Sequence, residues 1–176
     1  MVAKSHLILR PLLLGLAAGW GCGAGQPGNL EAVILLQRKD TVQGNDTLQF
    51  TAAAHARPCT ERRGFLLQGV VGGNGVLLWL RSGDSTVGGE YPVLARGDTT
   101  APRGVAGSVR FMLATQDRGV TLDSGIVTVS AAEGRIDATA RASGLDPSAA
   151  QRVALKASFA AVPMGADSSN CKVQVK

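Results

Sequence analysis

Apolar and polar residues alternate one by one through long stretches of this 176-residue chain. A period of two suits a strand with one wet and one dry face, whereas the helical period of about 3.6 would scatter these apolar positions all round a helix. In 135–142, Ile136, Ala138, Ala140 and Ala142 alternate with Arg135, Asp137, Thr139 and Arg141. In 153–161, Val153, Leu155, Ala157, Phe159 and Ala161 alternate with Ala154, Lys156 and Ser158. In 105–113, Val105, Val109, Phe111 and Leu113 share one face, opposite Ser108 and Arg110. Segments of this kind bury their dry face only by joining a sheet.

Turn residues divide the rest of the chain in the same rhythm. The run 65–71 and the run 76–80, ending in Trp79 and Leu80, flank Gly72-Gly73-Asn74-Gly75, whose residues accept the positive φ of a tight reversal. Both runs are apolar on both faces, which predicts central strands. A second hairpin is expected over 126–130 and 135–142, turning through Ala131-Ala132-Glu133-Gly134, and earlier strands over 31–36 and 48–53. Helical pattern is confined to the start of the chain and to a single turn over 146–151, where Asp146 can cap and Pro147 suits the first helical position. The expected fold is all-β, an antiparallel β-sandwich or distorted barrel of roughly seven to nine strands following an N-terminal signal helix.

The first residues belong to a different kind of segment. Lys4 and Arg10 precede the apolar stretch 12–18, which is too short for the roughly 20 residues that cross a bilayer as a helix, and small residues follow. This is the pattern of an export signal. The placement of Cys22 after Gly21 resembles the lipobox of bacterial lipoproteins, in which the cysteine becomes the acylated first residue of the mature chain. Gly19 and Trp20 stand where that family prefers Leu and a small residue, so cleavage near Ala18 or Ala24, leaving a soluble secreted protein, is the alternative. The implied organisation is a lipoprotein-type signal over 1–21, a flexible tether over 22–29 and one domain over 30–176. Acyl chains contribute about 0.8 kcal/mol per buried methylene, so the membrane would be reached through the lipid anchor. Gly23 in place of the Asp that retains such lipoproteins at the inner membrane implies the outer membrane.

Export also decides how the remaining cysteines are read. Of three cysteines, Cys59 and Cys171 are left as a pair in an oxidising compartment, where a disulfide closing a loop of roughly 110 residues contributes about 4 to 5 kcal/mol in the chain-entropy model. Two separate thiols are the alternative. Neither cysteine has a partner at metal-ligand spacing, and no cofactor or metal is expected. Removing Lys4 and Arg10 takes the formal charge from +5 to +3, and the remaining basic residues are dispersed, with only Arg62 and Arg63 adjacent. That is no footprint for nucleic acid.

A Cys-bearing early segment, an apolar hairpin ending in a Trp strand, Gly88-Gly89-Glu90-Tyr91-Pro92, an alternating strand pair and a Phe strand follow in order. In that order the mature chain resembles small bacterial envelope lipoproteins with an uncharacterised β-sandwich domain. The likeness implies fold and location and no catalytic residue. The leading expectation is a membrane-tethered, non-enzymatic module that binds an envelope protein or ligand, or is structural.

The alternative is a secreted or periplasmic hydrolase. Asp117 and Asp123 could divide acid and base roles, and His55 could pair with an acid or with Cys59. No Gly-x-Ser-x-Gly elbow supports a serine nucleophile. The glycines of 69–75 lack the Gly-Lys-Ser/Thr end of a phosphate loop, Arg96-Gly97-Asp98 matches a tripeptide too short to carry weight, and Asn45-Asp46-Thr47 is a glycosylation sequon that a bacterial envelope leaves bare. Trp79 is expected in the core. Tyr91, beside Pro92 in a glycine-rich loop, is the candidate ligand contact; the competing reading is a tyrosine that buttresses a sheet corner through its hydroxyl.

Overall fold

The computed structural model describes residues 26–37, 46–60, 64–83, 87–98, 100–169 and 171. The expected signal, Cys22 and Asn45 lie outside these residues. Nine strands follow in order: β1 (Gly28–Leu36), β2 (Asp46–Pro58), β3 (Gly64–Val71), β4 (Asn74–Arg81), β5 (Gly89–Pro92), β6 (Gly104–Leu113), β7 (Gln116–Ala132), β8 (Arg135–Asp146) and β9 (Gln151–Pro163). Every paired neighbour is antiparallel. β1, β2, β3, β4, β6, β7, β8 and β9 form a ring that closes where β9 meets β1, so the fold is an up-and-down barrel of eight strands. β5 is the ninth strand and pairs with 126–129 of β7, beyond the stretch 116–121 that pairs with β6.

The all-β expectation holds, and of its two forms the structure is the barrel. Closure requires bends, and they lie in the longest strands. The register shifts between Leu122 and Ser124, where β7 carries the extra residue, and opposite Ile136–Ala138 of β8, where β9 carries it between Phe159 and Val162. At the first bend Gly144 faces Leu122, and a Cβ there would fall 2.1 Å from the Thr121 carbonyl oxygen, so only glycine lets the strands approach. The β3–β4 reversal is tighter than expected. Gly72 and Gly73, both with positive φ, make the turn alone, while Asn74 and Gly75 belong to β4.

One face of each strand points into the barrel and supplies the core. β2 contributes Ala52, Ala54 and Ala56, and β8 contributes Ala138, Ala140 and Ala142. Larger side chains fill the space those alanines leave: Phe65 and Leu67 from β3, Phe111 from β6, Leu155 and Phe159 from β9. Each is at most 2% exposed, and burying one contributes about 1.5–3 kcal/mol. A chamber wide enough for even one water would leave accessible surface on these side chains, so the interior is filled by the protein's own residues.

The outward faces carry Glu31, Thr51, His55, Arg57, Thr128, Arg135, Asp137, Arg141 and Lys156, all exposed. A barrel that crosses a membrane has the opposite arrangement, apolar outside and polar inside. The wall of this one faces water.

The connections sort into two ends. At the hairpin end lie the β1–β2, β3–β4, β6–β7 and β8–β9 connections. At the other, the stapled end, lie the start of β1, the β2–β3 connection, the segment 82–103, the β7–β8 turn and the C-terminal tail.

Candidate functional site

Cys59 and Cys171 are joined by a disulfide, with Cα atoms 5.5 Å apart and a sequence separation of 112. The tail reaches Cys59 because β1 begins only at Gly28, opposite Ala54, and leaves the next stretch of β2 without a neighbour. Residues 164–169 take that place, running parallel to β2 through Gly165 N–H to Ala56 O (2.8 Å), Ser169 N–H to Pro58 O (2.8 Å) and Thr60 N–H to Ser169 O (3.1 Å). The bridge thus locks a strand edge that main-chain hydrogen bonds already hold.

Segment 82–103 straps the outer wall beside it. Trp79 follows the outward parity of Leu77 and Arg81, not the inward parity of Leu78 and Leu80, so it lies outside the barrel core, yet it is only 6% exposed. The expected burial holds, on the outer wall of the barrel rather than inside it. This explains why the β4 run is apolar on both faces. The Arg81 guanidinium lies 4.7 Å from the Trp79 ring centre and donates to the carbonyls of Asp98 (2.9 Å) and Ala101 (3.4 Å), drawing the strap over the indole. Asp98 secures the strap's own turn. Its carboxylate accepts the Thr100 and Ala101 N–H groups, and these hold it below the ordinary carboxylate range. The aspartate of Arg96-Gly97-Asp98 therefore has a structural role.

Tyr91 is in the core with no exposed surface, and its hydroxyl donates to Val87 O at 2.6 Å. Of its two readings the second holds, and a side chain with no exposed surface is not a ligand contact: Tyr91 buttresses the corner where β5 begins. Burial raises its pKa, against the lowering effect of the Arg103 charge stacked 4.2 Å from the ring centre. Arg103 also donates to the carbonyls of Gly88 (2.7 Å), Glu90 (3.0 Å) and Ser82 (3.3 Å).

The carboxylates singled out in the sequence are held apart. Asp117 bonds Arg110 of β6 (2.6 Å), and Asp123 bonds Arg152 of β9 (2.7 Å). They lie six positions apart along β7, a span of about 20 Å. Ser124 and Ser143 complete a network around Arg152, whose hydrogen bonds hold Asp123 below the ordinary carboxylate range. His55 points outward from β2, three strands along the ring from β6 and four from β7. Neither the Asp117–Asp123 pair nor a His55–acid pair with these residues is assembled. The expected helical turn over 146–151 is a tight turn in which Asp146 accepts the Ser148 N–H at 2.9 Å.

Asp146 itself closes the hairpin end from within. It faces inward at the last position of β8 and pairs with Arg118 at 2.9 Å, the two side chains 3% and 19% exposed. Burial pushes its pKa up, but the Ser148 hydroxyl and Arg118 outweigh that and hold it below the ordinary range. The four organising arginines, Arg81, Arg103, Arg118 and Arg152, carry no motif. The one signal for any of them was an arginine two residues after a tryptophan on a strand, which places both on one face.

No group of three or more metal-ligating side chains occurs among the described residues, and no helix among them is long and apolar enough to cross a membrane. Comparison of the chain with protein-family models, with curated proteins and with solved structures finds no match.

Proposed function

We propose that this protein is a membrane-tethered, non-enzymatic envelope lipoprotein, a binding or structural module held through Cys22 at the outer membrane. The observation that carries the reading is the filled interior beneath a polar wall. A barrel with no chamber of its own meets a partner on its surface or its ends, as an interaction module does, and a carrier of small apolar ligands needs the reverse. The position of Gly28 supports the same reading. The expected tether over 22–29 loses Gly28 and Asn29 to β1, and what is left of it would join the barrel at the stapled end, where the disulfide and the strap resist disturbance, with the hairpin end pointing away from the lipid.

Intact-mass measurement of the mature protein from membranes tests the anchor. The expected mass is that of a chain beginning at acylated Cys22; an unmodified chain beginning elsewhere overturns the tether. Cross-linking on intact envelopes tests the module. Partners captured from residues of the hairpin end are expected, and capture confined to the stapled end would reverse the orientation.

A further inference from the structure

Four outward residues midway along the β8–β9 wall form a square of donors. Arg141 stands opposite Lys156, and two positions along, Thr139 stands opposite Ser158. All four are exposed. How closely each pair meets follows from one bond at the start of β9. Gln37 N–H donates to Arg152 O at 3.1 Å, so the even-numbered residues of β9 up to Ser158 turn their main-chain groups toward β1 and away from β8. Arg141–Lys156 and Thr139–Ser158 are therefore non-hydrogen-bonded pairs, the closer kind, with Cα atoms about 4.5 Å apart. Described strands bound the square on both sides, with Ile126 of β7 beside Arg141 and Val33 of β1 beside Lys156.

Like charges directly opposite each other on a sheet are destabilising. Other charges on the barrel are compensated: Arg110, Arg118 and Arg152 each meet an aspartate, and Arg81, Arg103 and Arg135 donate to carbonyls. Among the described residues Arg141 and Lys156 have no hydrogen bond or ion pair, and the Thr139 and Ser158 hydroxyls have no protein partner. The carboxylates nearby are engaged. Asp123 holds Arg152, and Asp137 accepts the Ala161 N–H at 2.7 Å. Glu31, diagonal to Lys156 across β1 at about 7–8 Å, accepts from Asn29. Arg57, exposed by itself on β2, is the ordinary solvated cation; Arg141 and Lys156 differ from it in being held against each other.

We infer that this square is a binding site for a phosphate monoester. A dianion seated between Arg141 and Lys156 turns their mutual repulsion into two charge-assisted attractions, and the guanidinium fork matches two phosphate oxygens. The Thr139 and Ser158 hydroxyls donate to what remains of the three terminal oxygens. A carboxylate brings one charge and two oxygens, and leaves part of the square unmet. Two sources carry the required group: a soluble phosphate ester, and the headgroup of phosphatidic acid in a membrane. The site depends neither on the lipid anchor nor on the module reading.

Titration of the unacylated, nitrogen-15-labelled chain beginning at Cys22 with glycerol 3-phosphate at low salt tests it. Amide shifts are expected to concentrate at 139–141 and 156–158 and to saturate at concentrations on the order of millimolar, whereas acetate at equal ionic strength produces no saturable shift. Arg141→Gln and Lys156→Gln are each expected to weaken binding about tenfold, and Ser158→Ala about two- to threefold. Arg57→Gln is expected to leave it unchanged. Without ligand, both glutamine variants are expected to melt at or above the wild-type temperature, because each relieves the repulsion, so lost binding is not lost folding. Sedimentation with vesicles of phosphatidic acid in phosphatidylcholine separates the sources. Co-sedimentation that Lys156→Gln abolishes assigns the site to a membrane headgroup, and saturation by glycerol 3-phosphate without co-sedimentation assigns it to a soluble ester. Shifts spread evenly over exposed cations including Arg57, affinity indifferent to both glutamine variants, or binding of neither probe overturns the inference.

Discussion

The two ends of the barrel are closed by different physics. The stapled end is held by a covalent bridge, a tail laid along β2, and two arginines stacked on aromatic rings while they bind loop carbonyls. The hairpin end is held, among the described residues, by the short turns after β3, β6 and β8 and by one inward ion pair, Arg118 with Asp146, and leaves part of β2 unpaired among those residues. The first set of restraints is insensitive to moderate pH and salt. The second depends on a carboxylate remaining ionised. Under the proposed anchor, that asymmetry would keep the end near the tether rigid and leave the far end's groups available for contact.

The largest expected effect breaks the comparison at its covalent link. Replacing Cys59 and Cys171 together with serine is expected to lower the unfolding free energy by about 2–5 kcal/mol in urea titration. Amide exchange should rise first in the tail 164–171. A midpoint unchanged from wild type would show that main-chain hydrogen bonds hold this end alone.

Next in size is the ion pair. Arg118→Ala leaves Asp146 buried without its cation and is expected to cost about 2–3 kcal/mol. The pH dependence has a definite sign. The folded pKa of Asp146 lies below the ordinary value, so its stabilisation is complete above about pH 4, where the carboxyl is ionised in the unfolded chain too, and is lost as pH falls through the depressed folded value. Urea midpoints measured from neutral to acid pH should fall less steeply for Asp146→Asn than for wild type. Parallel curves would remove Asp146 from the acid response.

The strap comes third. Arg81→Ala removes a cation–π contact and two hydrogen bonds to carbonyls, and is expected to cost about 1–2 kcal/mol. Limited proteolysis between 95 and 103 should quicken, with Trp79 fluorescence shifting toward that of a wet indole. The smallest effect sharpens the contrast between buried and exposed pairs. Arg110→Ala breaks an ion pair whose side chains are about half exposed, and is expected to change stability by no more than about 0.5 kcal/mol. A loss comparable to that of Arg118→Ala would mean that exposure does not separate the two.

Much of the fold was legible because alternation is local. Strands over 105–113, 135–142 and 153–161 lie within β6, β8 and β9, and parity named their inward residues up to Phe159; beyond it the register shifts, so Ala161, expected on the dry face, is exposed and Val162 is buried in its place. The pairing of Cys59 with Cys171 was legible for a different reason, since the expectation of export, with Cys22 set aside, leaves the two one partner each. Trp79 and Tyr91 were legible only in part: burial of the indole and a tyrosine buttressing a corner were both among the readings, but neither the face nor the choice between readings was fixed. A tryptophan in an apolar run looks like core whichever face it takes, and only the strap drawn across it by Arg81 decides that the outer face is dry. A tyrosine beside glycine and proline looks exposed, and only the inward turn of β5 buries it.

Period-two alternation and turn residues determined by themselves that this chain forms antiparallel strands with one dry face, because those preferences act between residues adjacent in sequence. Whether the sheet closes, which edges are covered and which arginine meets which carboxylate depend on residues far apart in the chain, brought together only when β9 finds β1. Closure is a property of the whole ring: bends at Ser124 and Ala138, a glycine opposite the first of them, and alanines where Phe65, Phe111 and Phe159 need room. No single segment encodes it, so only the tertiary structure could decide it.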